Sequence, residues 1–591
     1  MNAPQPAPKT LGDRIGGLLA AHAETADALV RDTVRLLYRE HEAGHVCVEL
    51  DAWQGRALDP ATAPFPDAPH WTEQLLASGV CSSGPAPLAP RPLVLDSRGR
   101  LYLLRHHRDE LRIITQLRAR LESAPLVPAT ALRDALEALH WLPQDDRNDW
   151  QLAAIAAGAA RRFAVLTGGP GTGKTTTVAR LLAVLLQLQP ELSVALAAPT
   201  GKAASRLGEA LRARAADQPQ LQAAMGDIHT RTLHRLLGYL PLDDAFRFGK
   251  DQSLPYDVVV VDEVSMVDPA LLAQLFDALR PDARLLLVGD RDQLAAVAAG
   301  QVLGDLCRVA EPERGVGAGL AAYVAAATGM DLPVHSGAPP IADAVIALRT
   351  NHRFAAQPGI ATFAQALAHR DADAAMAAFA AQHPDLQLQP QADAALAAIA
   401  PDLLAAAAAD GAGAALDHLS RCRVLTATRL GPTGAEAWNR RIELLLREHG
   451  HRVEEPYYLG RPILVTANDH QSQIWNGDLG VVAEVEGRRC VVFPTADGHR
   501  EVSLLRLPPH ETAWAMTVHK AQGSEFDEVL LAMPSVAGPL WQASLVYTGV
   551  TRARRRAIVC ADPALLAAGL RHWPQRSSGL ADALADEGGD D

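Results

Sequence analysis

Cysteine is scarce in this chain. Six residues, Cys47, Cys81, Cys307, Cys422, Cys490 and Cys560, are scattered over 591 positions, and no two form a C-x-x-C pair. That spacing speaks against a zinc or iron–sulfur site and against a disulfide scaffold, and it suits a reducing cytoplasm. A basic excess is missing as well. The net charge of −13 argues against a generally basic nucleic-acid binder, but it leaves room for a local basic groove, because phosphate contacts are few and clustered. Long uncharged apolar runs are absent too. The most membrane-like stretch, 394–416, carries Asp402 and Asp410 among its alanines and reads as surface or amphipathic helix rather than a span, so no membrane partner is expected. The opening Met1-Asn2-Ala3-Pro4-Gln5-Pro6-Ala7-Pro8 lacks the basic start and apolar core of a signal peptide.

What is present is a phosphate-binding loop. The apolar run Phe163-Ala164-Val165-Leu166 reads as a buried strand. Gly168-Gly169-Pro170-Gly171-Thr172-Gly173-Lys174-Thr175 follows it, and from Thr176 the pattern is helical. Strand, G-x-x-x-x-G-K-T and helix together mark a nucleoside triphosphate site. Glycines let several backbone N–H groups converge, and the helix N-terminus adds positive potential at the same point. Lys174 supplies a full charge to the β- and γ-phosphates, and the Thr175 hydroxyl suits Mg²⁺, which prefers oxygen ligands.

Other strand ends complete this chemistry. Asp257-Val258-Val259-Val260-Val261-Asp262-Glu263 finishes a strand on two carboxylates, at the edge where parallel sheets bind ligands. Asp262 is suited to hold Mg²⁺ through water, and Glu263 to orient or deprotonate the attacking water. Gln293, in Gly289-Asp290-Arg291-Asp292-Gln293, can bond a γ-phosphate and sense its loss. Gln151, upstream of the loop in Asn148-Asp149-Trp150-Gln151, can pair with an adenine edge. Arg353 and Arg552, in the second half of the chain, are candidates to stabilise transition-state charge, an effect on the order of 10³–10⁵ in rate in related chemistry. Carried on a separate lobe, they would make cleft closure complete the site. Arg554, Arg555 and Arg556 read as surface or backbone contacts.

The organisation expected from pattern is α/β. Residues 1–145 form a mostly helical docking domain, with a small hairpin around Ser97-Arg98-Gly99. Residues 146–340 form a first parallel-sheet unit whose last part, about 309–340, is loop-rich. A second unit takes 341–450 and 512–575. Short strands at 463–466, 480–485, 490–493 and 501–505 suggest a small β-barrel inserted at 451–511. Residues 576–591 read as an acidic, frayed tail.

Four further runs offer hydroxyl, imidazole or ammonium groups at sheet edges: 198–204, 232–235, 426–429 and 517–525. They do not resemble nucleotide chemistry. Donors of this kind contact phosphate and sugar without reading bases, so four together suggest one nucleic-acid strand laid across both units.

With these residues in place, the chain resembles the superfamily-one helicases and, within them, the RecD family. The matching motifs are 168–175, 199–204, 232–237, 259–268, 287–299, 351–354, 424–431, 476–480, 517–526 and 547–554, so the likeness covers most of 146–560. The resemblance implies two RecA-like domains around one ATP with Mg²⁺, an SH3-like inserted module, and ATP-dependent DNA unwinding with 5′→3′ translocation. It implies DNA contacts at Thr200, Lys202, His234, Thr517 and His519, and single-stranded and duplex-end DNA as the substrate. It also implies RecB and RecC as partners, with the nuclease on another subunit. The alternative is a free-standing helicase of the same branch.

Overall fold

Four consecutive β-branched residues with no polar alternation can only be a strand covered on both faces, and Val258–Val261 is one. Val258 and Val260 enter one core with Leu196 and Leu286, while Val259 and Val261 enter a second core with Ala195 and Leu287. This strand sits within an all-parallel sheet of six, in the order Val345–Ala347, Phe163–Thr167, Arg284–Gly289, Val258–Val261, Val194–Ala198 and Thr230–Thr232. The helices Trp150–Ala160, Lys174–Leu188 and Gly201–Ala215 cover one face, and Pro269–Ala278 and Val302–Ala310 the other. We call this unit lobe one. This computed structural model describes residues 10–84, 91–121, 124–142, 149–215, 219–224, 226, 228, 230–354, 357–469, 471–495 and 498–585.

Lobe two repeats the plan with five parallel strands, in the order Leu386–Leu388, Ala553–Cys560, Phe526–Ala532, Cys422–Thr426 and Ala515–Thr517. The alternating residues of Phe526–Ala532 again separate into two cores, with Val529 and Leu531 on one side and Leu530 and Ala532 on the other.

Along the chain, between Cys422–Thr426 and Ala515–Thr517, is inserted an antiparallel sheet in the order Gly498–Ser503, Arg488–Thr495, Leu479–Val485, Pro462–Val465 and His510–Thr512. Ile463, Val465, Val482, Val491 and Phe493 form its own core. Among the described residues its two edge strands do not pair with each other, so in place of the expected barrel there is an open sheet: a four-stranded meander, with His510–Thr512 returning to the far edge beside Pro462–Val465.

Several boundaries differ from the pattern-based expectation. Val345–Ala347 belongs to the lobe-one sheet, so lobe one extends past 340. The stretch expected to be loop-rich holds the helix Ala318–Thr328, whose Leu320 and Val324 join the lobe-one core. The N-terminal region is helical, as in Asp27–Glu42 and Leu104–Leu121, but it also carries a four-stranded sheet, Cys47–Glu49, Arg100–Leu103, Leu93–Leu95 and Cys81–Ser83. The expected hairpin around Arg98 is its antiparallel pair Leu93–Leu95 and Arg100–Leu103. Ile113, Leu117 and Leu132 already lie in lobe-one cores, so 145 is not a clean border.

The tail is also different. Residues 576–585 form a strap across lobe one and the N-terminal sheet, ending in the helix Leu580–Ala585, with Leu580 and Leu584 buried. The Arg576 guanidinium reaches the carbonyls of Ala296, Ala298 and Gly300, the Ser577 N–H donates to His45 Nδ1, and the Ser578 hydroxyl donates to Asp305. The remainder of the expected acidic tail, 586–591, lies outside the described residues, as do Asn148 and the first eight residues. Among the described residues no helix is long and apolar enough to cross a membrane. All six cysteines are buried and unpaired.

Candidate nucleotide site

The phosphate loop leaves strand Phe163–Thr167 and turns into helix Lys174–Leu188 through Gly171 and Gly173, both in the left-handed region at φ +81° and +88°. The crowding here is as demanding as the backbone angles. A Cβ on Gly171 would lie 2.3 Å from the Arg353 Cβ, and one on Gly173 would lie 2.3 Å from the Gln151 amide nitrogen. Only glycine lets those side chains approach the loop this closely. The Lys174 ammonium folds back onto the carbonyls of Gly168 and Gly169, at 2.6 and 3.1 Å, and the Thr172 hydroxyl donates to Gly169 at 2.8 Å.

Gln151 owes its place to a helix cap. The Asp149 carboxylate accepts from the Gln151 and Leu152 N–H groups and starts helix Trp150–Ala160. Gln151 Nε2 then donates to the Thr172 carbonyl at 3.1 Å, which fastens that helix under the loop.

These residues border a cleft of about 620 Å³ between the lobes. From lobe one it is lined by Gln151, Pro170, Gly171, Gly173, Lys174, Thr175, Thr176, Asp262, Glu263 and Gln293, and on its other side by Arg353 and Arg552. Gly168, Gly169 and Thr172 do not line it; they form the floor that Lys174 rests on. The sequence-derived nucleotide residues are therefore brought together.

Electrostatics make this cleft a place for a cation beside an anion. Burial, reinforced by Glu263, pushes the Asp262 carboxyl up to about 6, against the pull of Lys174. Glu263 stands at φ +54° and donates its backbone N–H to Asp262 Oδ1 at 2.9 Å. A non-glycine residue held in this left-handed conformation stores strain of the kind found at functional sites. The Asp262 carboxylate and the Thr175 hydroxyl are hard oxygen donors bordering the same space, a donor set that fits Mg²⁺.

Gln293 belongs to a network crossing between the lobes. Its Nε2 donates to Asp290 Oδ2 at 2.9 Å, and its Oε1 is buried and, among the described residues, has no partner. Lobe two grips the same loop: the Leu294 N–H donates to Thr548 Oγ1 at 2.9 Å, and Gln522 Nε2 donates to the Leu294 carbonyl at 3.0 Å. Arg353 is placed by the interlobe connector. Asn351 Nδ2 donates to the Pro170 carbonyl at 2.7 Å, the His352 N–H donates to Gly171, and Asn351 Oδ1 accepts from the Arg353 N–H. Arg552, nearly inaccessible to solvent, is held by the Thr548 and Ser524 carbonyls.

Four residues of the cleft and its interface were missed in the sequence. Arg206, from helix Gly201–Ala215, Gly523 and Glu525 line it, and Tyr547 donates to Asp290 from lobe two. Gly523 and Glu525 lie in a run that reads as sugar–phosphate contact; the structure corrects this by turning them toward the nucleotide cleft. A glutamate three residues past an H-K-A-Q string was the available signal.

The residues expected to touch DNA fall into two groups. Thr200, Lys202 and His234 lie at the C-terminal edge of the paired strands Val194–Ala198 and Thr230–Thr232. Thr517 ends the strand Ala515–Thr517, level with Thr426. His519 follows in a short turn, half-buried, and burial, then the charge of Arg576, holds its imidazole below the usual range. Burial, then Arg423 and Arg206, lowers the Lys202 ammonium to about 8. Trp475 of the inserted sheet stands over this edge, 3.5 Å from where a side chain at Gly201 would begin, with the Arg235 guanidinium 3.7 Å from its ring.

Known families match in three places: an AAA domain over residues 151–299, a UvrD-like helicase C-terminal domain over 512–560, and the N-terminal domain of RecBCD enzyme subunit RecD over 14–102. RecBCD enzyme subunit RecD of Mycobacterium tuberculosis (strain ATCC 25618 / H37Rv) is 39% identical over 585 residues, covering 96% of this chain and 94% of that protein. The Haemophilus influenzae RecBCD enzyme subunit RecD is 35% identical over 83% of this chain and 80% of its own length. The ATP-dependent RecD2 DNA helicase of Deinococcus radiodurans is 33% identical over 82% of this chain and 58% of its own length. Among solved structures, the Bacteroides Pif1 helicase in complex with ADP-AlF3 and ssDNA is 17% identical at a TM-score of 0.36, covering 73% of this chain and 91% of that one. With identity on this scale sustained across nearly the whole length, the chain belongs to the RecD helicase family.

Proposed function

We propose that this chain is an ATP-driven DNA motor, the RecD-type subunit of a RecBCD helicase–nuclease that unwinds duplex ends by 5′→3′ translocation for double-strand-break repair in the cytoplasm. One observation carries the reading: a single cleft is lined by Lys174, Asp262, Glu263 and Gln293 of lobe one and by Arg353 and Arg552 on its other side. ATP is the substrate. Lys174 leaves the Gly168 and Gly169 carbonyls to meet the β- and γ-phosphates, and Gln151 at the Gly173 end faces the base. Thr175 and Asp262 would hold Mg²⁺, which would supply neutralisation of phosphate charge. Glu263 orients the attacking water and accepts its proton. Gln293, Arg353 and Arg552 meet the γ-phosphate, where guanidinium charge stabilises the transition state.

DNA lies across the C-terminal edges of both sheets, over Thr200, Lys202, His234, Thr517 and His519. The five-stranded insertion serves as an SH3-like module beside that path. RecB and RecC are the partners, with docking through the N-terminal domain, where Leu11 and Leu18 stand 58% and 54% exposed. The likeness to RecD2 favours a second reading, a free-standing helicase. The RecD N-terminal match over 14–102 supports the complex.

Lys174→Ala tests the site. Removing a preorganised electrostatic contact costs on the order of 10²–10³ in turnover, so DNA-stimulated ATP hydrolysis should fall by at least about 100-fold with the unfolding midpoint unchanged. Hydrolysis at the parent rate would overturn the assignment. Co-purification from the native cell, then strand displacement on 5′- and 3′-tailed duplexes, tests partners and polarity.

A further inference from the structure

The cleft holds an acidic residue that this hydrolysis scheme does not use. Glu525, whose side chain is 11% exposed, stands just before strand Phe526–Ala532 and lines the cleft among arginines. Its Oε1 lies 2.7 Å from Arg353 Nη2, and its Oε2 lies 2.6 Å from Arg206 Nη2 and 3.3 Å from Arg554 Nε. Arg206 comes from lobe one and also donates to the Gly523 carbonyl at 3.0 Å, so the pairing ties the lobes together. Burial opposes ionisation of Glu525, but the guanidinia of Arg206, Arg353 and Arg552 overcome it and hold the carboxyl at about 2. Arg353 is engaged on one side only: its Nη1 is buried and, among the described residues, has no partner.

Three cations gathered in a partly buried cleft repel one another unless an anion sits among them. Glu525 is that anion, and it occupies one arm of the Arg353 fork that the hydrolysis scheme assigns to the γ-phosphate. We infer that Glu525 is a positioning residue, an internal counter-anion that keeps Arg353 and Arg206 aimed into the cleft and yields them to the terminal phosphate of the nucleotide. The inference rests on the reading of the cleft as the ATP site. It makes nucleotide binding an anion exchange. A diphosphate lacks the group that displaces Glu525, so the arginines return to the carboxylate after hydrolysis.

Glu525→Gln keeps the shape and removes the competing charge. Binding of fluorescent ATPγS and ADP analogues to the full chain is the readout. Freed of the competitor, the arginines should take ATPγS on the order of 10-fold more tightly, the equivalent of about 1.4 kcal/mol, while ADP affinity moves less than about two-fold. The kcat for ATP should fall, because the arginines lose their alignment, and KM should fall with it. Glu525→Asp, which retains the charge, should restore the parental preference between the two nucleotides. Arg206→Gln, on the other lobe, should weaken ATPγS and spare ADP, and it keeps the idea testable if Glu525→Gln does not fold. An unchanged ATPγS-to-ADP ratio in Glu525→Gln, or equal loss of both affinities, would overturn the inference alone. A parent chain that binds neither nucleotide better than Lys174→Ala would instead sink the reading of the cleft itself.

Discussion

Tyr547 of lobe two donates its hydroxyl to the Asp290 carboxylate of lobe one across 3.1 Å, and the same carboxylate oxygen accepts the Gln293 amide at 2.9 Å. One buried oxygen thus joins the residue proposed to sense the γ-phosphate to a helix of the opposite lobe. Burial, with Asp290 adding to it, keeps the Tyr547 phenol protonated, so it acts as a donor.

Tyr547→Phe removes this link and no carbon atom. A buried acceptor left one bond short costs about 1–3 kcal/mol, and because Asp290 keeps Gln293 the low end is expected, as a shift in the denaturant midpoint. Nucleotide affinity should hold, while the ratio of DNA-stimulated to basal ATP hydrolysis falls several-fold. An unaltered ratio would show that Tyr547 carries no signal between DNA and nucleotide.

Gly171→Ala attacks the hinge side of the cleft. The new methyl meets the Arg353 Cβ, and the φ of +81° is unfavourable for alanine. The strain is worth about 1–3 kcal/mol. Displacement of Arg353 should lower ATP turnover by on the order of 10³-fold. Circular dichroism alongside hydrolysis separates the two effects; a variant with full turnover would mean that Arg353 is not needed where the structure puts it.

The C-terminal strap should respond to pH. Glu110 accepts the Gly579 N–H at 3.0 Å, and burial, joined by Asp305, raises its carboxyl to about 8 from an unfolded value of 4.5. The folded chain therefore holds a proton that the unfolded chain releases between those values. Stability is full below pH 4.5 and is lost as pH rises through 8. Amide exchange at 577–585 should speed up over that window, and Glu110→Gln should flatten the dependence. Exchange that slows with rising pH, after correction for intrinsic rates, would contradict the sign.

Binding to single-stranded DNA should weaken steeply with salt, because backbone contacts release counterions at about 0.7 per phosphate neutralised. Lys202→Ala should reduce the slope of log K against log salt by about that amount and weaken all sequences alike. A slope unchanged in Lys202→Ala would remove this residue from the DNA path.

Much of this architecture can be read from residue order alone. Runs such as Val258–Val261 admit one structure, and the phosphate loop is a local object whose neighbours in sequence are its neighbours in space. Lys174, Asp262, Glu263 and Gln293 converge because parallel strands share one ligand-binding edge, whereas Arg353 reaches them from the interlobe connector and Arg552 from the end of a lobe-two helix. What escapes is pairing across lobes. Nothing in the order of residues says that Arg206 meets Glu525, or that Tyr547 reaches Asp290, since each lies on an element whose own pattern is complete without the partner. The strap escapes for a different reason: Leu580 and Leu584 are two large apolar residues in a short stretch of small and polar ones, too few to set a period, and only the surface they cover reveals them. Likewise Val345–Ala347, three residues long, is too short to announce which sheet it joins.

The strap also bears on how the lobes can move. The backbone leaves lobe one through Asn351 and Arg353, fastened to the phosphate loop, and returns at Arg576, fastened to the Ala296, Ala298 and Gly300 carbonyls just beyond Gln293. Lobe two hangs on two pins rather than one, so its easy motion is a swing about the line joining them, with drift and twist restrained. Both pins sit beside residues that line the cleft between the lobes, and a swing on that axis widens or narrows the cleft while its rim stays in register.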